Sequence, residues 1–149
     1  MPLSKIESAG LGSGTVLQVI QGSTTTATST SGTTLVDTGL SANITPKFAT
    51  SKILVLVTMN GLITFGTNTG IRLAILRGST NINTFAEYTC YTNASASLIL
   101  SAAGNYLDSP STTSSTTYKV QFARKDGSGN VSVQGNSDSS TIILMEIAA

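Results

Sequence analysis

The chain has 149 residues, eight basic and seven acidic side chains, a net charge of +1 and no histidine. That length suits one domain, able to bury about 68–70% of its unfolded surface and so hold a core without metals or disulfides. Only 10% of residues are charged and the Lys and Arg are scattered, which sets aside electrostatic binding to nucleic acid or anionic lipid.

Met1–Gly14 is polar and aperiodic, and it reads as an extension or attachment arm with three apolar points, Leu3, Ile6 and Leu11. It shows no apolar run of the signal-peptide kind. Residues 15–149 read as the domain. Thr15–Gln21 is a first strand with apolar residues on both faces, and Gly22–Thr34 reads as a Ser/Thr/Gly loop whose later half leads into the next strand. From Thr33 to Thr45 the pattern alternates, with Leu40, Ala42 and Ile44 on one face and Ser41, Asn43 and Thr45 on the other. Pro46 stops it. Lys52–Asn60 contains the longest apolar run, Ile53–Val57, and reads as an inner strand covered on both faces.

Ile71–Arg77 lies between Gly70 and Gly78, too short for an ordinary helix, and it reads as a strand. Gly78–Asn83 reads as a loop. Two further strands cover Thr84–Thr92 and the stretch around Ala94–Ser101, with Ala102-Ala103-Gly104 as a stop. Thr116–Lys125 alternates most cleanly, with Tyr118, Val120 and Phe122 facing inward. Asp126–Asn130 is a Gly-rich hairpin connection, and Val131 and Val133 continue in the returning strand. Thr141–Ala149 is apolar on both faces apart from Glu146. Eight or nine short strands with turn signals between them predict an all-β antiparallel sandwich or barrel. A last strand without a polar face needs a second cover. That points to a subunit interface at Ile143, Met145, Glu146 and Ile147.

The chemistry of the chain is sparse. Without histidine it lacks the commonest general base and metal ligand. Cys90 sits among Tyr88 and Tyr91 and reads as a buried small hydrophobe. Two-carboxylate hydrolysis is the one mechanism the inventory supports, through Glu87, Asp108 or Glu146. Each has a blander reading: Glu87 on a solvent face, Asp108 capping a turn, Glu146 pairing with an arginine or sitting at the subunit boundary. Asp126 with Asn130, and Asn136 with Asp138, lack the spacing of a calcium loop. No cofactor, metal or catalytic role is expected. Phe65, Phe85, Tyr88, Tyr91 and Tyr106 are the aromatic side chains that a sugar-binding surface would draw on, most of them expected in the core.

An ordered series of short segments carries a family resemblance. It comprises VLQVI from Val16, TLVDTGLSANITP from Thr34, TSKILV from Thr50, NYLDSP from Asn105, TYKVQ from Thr117 and STIILMEIA from Ser140. Together they resemble tailed-bacteriophage virion proteins of the tail-fibre and exterior structural kind, over roughly residues 15–149. The resemblance implies a jelly-roll β-sandwich, assembled as a homotrimer on the virion exterior, with no catalytic motif. Such fibre proteins carry a long shaft before this domain, and here only the first 14 residues precede it. Two roles fit that departure. One is a short tail fibre or fibre tip that attaches through Met1–Gly14 and binds a host with its loops. The other is a capsid decoration (cement) protein that clamps the shell. The implied partners are copies of the chain, other tail or capsid proteins and a host-surface glycan or protein, with no nucleic acid and no membrane insertion.

Overall fold

Val, Ile, Leu and Thr fill the segments between the Gly, Asn and Pro turns, and such side chains fit a pleated, half-buried surface. The computed structural model describes residues 12–149. Among them the chain forms ten strands: β1 (Val16–Thr24), β2 (Thr28–Thr30), β3 (Val36–Ile44), β4 (Lys52–Phe65), β5 (Thr69–Arg77), β6 (Thr80–Thr92), β7 (Ser97–Asp108), β8 (Thr116–Arg124), β9 (Asn130–Val133) and β10 (Ser140–Ile147). A short 3-10 turn spans Gly135–Ser137. The all-β antiparallel sandwich expected from the sequence is what forms.

One sheet has the order β1-β10-β4-β9-β2, with β7 on the opposite side of β4; the other has the order β3-β8-β5-β6. Every pairing is antiparallel. The principal pairs are nested, β5 with β6, β4 with β7, β3 with β8 and β1 with β10. The chain therefore behaves as one long hairpin whose two arms are wrapped into two layers. Between the layers lies the core. Ile53, Val55 and Val57 of β4 face Leu73 and Ile75 of β5 and Val120 and Phe122 of β8, all almost fully buried.

Several boundaries differ from expectation, first of all the expected Gly22–Thr34 loop, which holds the end of β1 and all of β2. β4 continues past Asn60 to Phe65, because a bulge between Met59 and Leu62 absorbs the Asn-Gly pair and Gly61 takes a positive φ of 59°. β6 starts at Thr80, inside the expected loop. β7 runs through Ala102-Ala103-Gly104 to Asp108, since Gly104 is where the Phe85 ring lies against the backbone and a Cβ would overlap it. The apolar run of β4 is also less enclosed than predicted. Leu54 and Leu56 are only half-buried, on the outer face of their sheet.

Gly14 N–H donates to the Ala148 carbonyl at 2.9 Å, and Ala148 N–H donates to Thr15 at 2.9 Å. The first described strand is thus tied to the chain's last residues. Leu3, Ile6 and Leu11 lie outside the described residues.

Candidate functional site

The alternation of β10 sends Ile142, Leu144 and Glu146 into the core and Ile143, Met145 and Ile147 outward, where they are half-buried. Strand register then builds an apolar surface from them. Met145 lies between Val19 of β1 and Leu54 of β4, and Leu54 lies beside Leu107 of β7. This row crosses four strands without a polar side chain. Val19 is 55% exposed and Leu107 48%. A second apolar pair, Ile143 beside Leu56, adjoins it. Ile143, Met145 and Ile147, three of the four residues expected at a subunit interface, thus lie on the outer face of the sheet. Val19, Leu54 and Leu107 were missed, although the unbroken run Ile53–Val57 signalled that the outer side of β4 was apolar too.

Glu146 requires a correction. It faces inward, is fully buried, and does not contribute to that outer surface. Its Oε1 accepts from the Lys47 amide at 2.7 Å and, more weakly, from the Phe48 amide at 3.4 Å. Its Oε2 accepts from Gln18 Nε2 at 2.5 Å, and the same nitrogen reaches the Thr45 carbonyl at 2.8 Å. Glu146 therefore caps the connection between β3 and β4, with no arginine involved. Burial pushes its pKa up, but the bonds from Gln18 and the two amides outweigh that and hold it below its ordinary value.

The other two carboxylates are engaged elsewhere. Asp108 closes the end of β7 rather than capping a turn. Arg77 Nη1 reaches its two oxygens at 3.0 and 2.9 Å, and Tyr118 Oη donates to Oδ2 at 2.6 Å. This buried cluster joins β7 in one sheet to β5 and β8 in the other. Burial and then the Asp108 carboxylate raise the Tyr118 pKa far above its ordinary value. Glu87 lies on the solvent side as expected and pairs with Lys125 at 2.6 Å. Cys90 is buried, its Sγ 3.3 Å from the Leu62 carbonyl, and burial pushes its thiol pKa up.

The two ends of the sandwich differ. Gly14 and Ala148 lie at the Lys52 end of β4, where Ile147 pairs with Lys52. At the Phe65 end, Thr69 pairs with Thr92, which brings Asn68 and Tyr91 together. Tyr88 and Tyr91 are 44% and 42% exposed, with ring centroids 4.9 Å apart and planes inclined at 45°. Tyr91 Oη donates to Asn68 Oδ1 at 3.1 Å. Phe85 and Tyr106 pack against the core, but Phe65 is exposed like Tyr88 and Tyr91, so most of these five aromatic side chains lie outside the core, against expectation. On the outer face of the β3-β8-β5-β6 sheet, Lys119 and Gln121 are both bonded to Asp37. No protein-family model matches this chain, and a search of curated proteins returns no match.

Proposed function

We propose that the chain is a non-enzymatic, homotrimeric module of a bacteriophage virion surface, serving as a short tail fibre or fibre tip in host attachment. The observation that carries this reading is the apolar row Val19–Met145–Leu54–Leu107 on the outer face of one sheet. Contiguous exposed apolar surface of this kind marks an association site. Covering each half-exposed Val, Leu or Met contributes about 1 kcal/mol, and the row carries no charge that association would have to desolvate. The trimeric state follows from the resemblance of the sequence to phage exterior proteins. The nested strand order supports the jelly-roll form of the sandwich, an architecture shared by viral capsid and lectin domains. The polarity of the sandwich supports a tip. The N-terminal boundary leaves at one end, and the exposed tyrosines stand at the other.

Light scattering on the purified full chain tests the assembly. The wild type is expected to be a trimer, and Leu54→Asp and Met145→Asp are expected to yield monomers or insoluble protein. A wild type that stays monomeric at micromolar concentration, or a Met145→Asp variant that stays trimeric, overturns the seam. Copy number on purified particles tests the role: tens of copies fit a fibre, and hundreds would assign the chain to capsid decoration instead.

A further inference from the structure

The Tyr88–Tyr91 shoulder is built in a way that bears on what it binds. Two loops are locked together beneath it. A Cβ on Gly129 would overlap the Phe65 carbonyl oxygen, and one on Gly127 would overlap the Asn68 carbonyl oxygen. Both glycines have positive φ, 98° and 76°. The β4–β5 and β8–β9 connections therefore touch backbone to backbone, and this contact fixes Asn68 and Asp126. Tyr88 lies over Gly70, where a Cβ would meet its ring at 3.4 Å. Tyr91 is held through its hydroxyl by Asn68. Both rings are thus positioned before any ligand arrives, which lowers the ordering cost of binding.

Large aromatic surface left half-exposed on a rigid support is an unusual use of tyrosine unless something covers it. The groups around the rings indicate what that is. The Asn68 amide uses its oxygen on Tyr91 and keeps its nitrogen as a donor. Asp126 precedes Gly127, whose backbone lies against the Asn68 carbonyl, so the same rim carries a carboxylate acceptor; desolvation and that carboxylate hold the Tyr88 hydroxyl above its ordinary pKa. Ring faces with an amide donor and a carboxylate acceptor at their edge suit a pyranose. Its C–H face meets the negative face of the aromatic ring, and its hydroxyls meet the polar rim. Charge narrows the class further. Lys125 is paired with Glu87 and Arg124 donates to the Gly127 carbonyl, so the two cations beside the rim are engaged within the chain rather than turned to a sulfate or carboxylate.

We propose that the Tyr88–Tyr91 shoulder is a binding site for a neutral, pyranose-based glycan. The proposal deepens the attachment reading and rests on it for its biological setting. A trimer would present three such shoulders, so weak single sites would add through multivalency.

The test uses the purified full chain on an array of immobilised oligosaccharides made of neutral hexoses and N-acetylhexosamines, followed by titration of the best binder. Tyr88→Ala and Tyr91→Ala are each expected to weaken binding roughly tenfold, with melting temperature and oligomeric state unchanged. Tyr88→Phe keeps the ring and is expected to retain most of the affinity, which separates stacking from loss of fold. Failure of the wild type to bind any of these oligosaccharides overturns the proposal, as does unchanged binding by the alanine variants. Adhesion to host cells before and after periodate treatment separates the two readings. Adhesion that survives periodate but not protease identifies a protein receptor, which refutes the glycan site and leaves attachment standing. Oligosaccharide binding without adhesion to cells refutes attachment and leaves the site standing.

Discussion

Glu146→Gln separates a buried cap from a subunit contact. The substitution keeps the shape of the side chain and one acceptor for the Lys47 amide, but it sets an NH2 against Gln18 Nε2, which approaches Oε2 at 2.5 Å. If the Gln18 amide turns over to accept, it gives up its bond to the Thr45 carbonyl. Two hydrogen bonds to a charged acceptor are weakened or lost, a cost of about 2 kcal/mol. In a chain of this size that lowers the melting temperature by roughly 4–8 °C. Circular-dichroism melts at neutral pH measure it. The pH dependence has a fixed sign. The carboxylate is held below its ordinary 4.5 in the folded chain, so its contribution is complete above that value and is lost as pH falls through the folded pKa. The gap between wild type and variant should therefore close in acid, while light scattering shows the same oligomer for both. A variant as stable as wild type at neutral pH refutes the cap. A variant that dissociates into folded subunits would return Glu146 to the interface.

Three further outcomes follow from the packing. Gly129→Ala combines an overlap with the Phe65 carbonyl and a φ of 98°, and it should cost about 2–4 kcal/mol by denaturant unfolding. Asp108→Asn weakens the Arg77 ion pair and should destabilise by at least ~2 kcal/mol, more than Tyr118→Phe, which removes a single hydrogen bond worth about 1–3 kcal/mol; equal melting temperatures for wild type and Asp108→Asn would contradict the inter-sheet role of the cluster. Cys90 is buried with a raised pKa, so a thiol reagent should label native protein far more slowly than urea-unfolded protein. Fast native labelling would mean that β6 opens readily.

The parts of this fold that the sequence makes legible are those where period two is unbroken. In β3 and β8, Leu40, Ala42 and Ile44, and Tyr118, Val120 and Phe122, alternate cleanly with polar residues, and all six are buried. β6 defeats the same method. Its pairing with β5 shifts register four times, and each bulge resets which residues face inward. Cys90, at a φ of 53°, sits in one of these resets. Such a bulged edge also discourages pairing with stray strands. Gly104 looks like a stop in one dimension and is a ring contact in three, which no local pattern reveals. Glu146 eludes local reading because an acid in an apolar strand suggests a boundary. Its partners, Gln18 and Lys47, come from segments about a hundred residues or more away. The shoulder is half visible in the sequence: Tyr88 and Tyr91 stand close together in the chain, but Asn68 joins them only through the pairing of Thr69 with Thr92.

The nested pairing also governs how the chain is made. Among the described residues β1 pairs with β10 alone, with Val16 opposite Ile147, so β1 must wait until β10 has been made. β3 likewise waits for β8. The innermost hairpin, β5 with β6, can close first, followed by β4 with β7 and β3 with β8 as each later strand appears. Folding dominated by such distant pairings is slow, and until β10 has been made β4 shows an open edge where it will sit. A message cut short before Ser140 would release a chain with bare strands on both sides of that gap, prone to clump with its neighbours. Synthesis through β10 is thus a checkpoint that a chain must pass before this sheet can close.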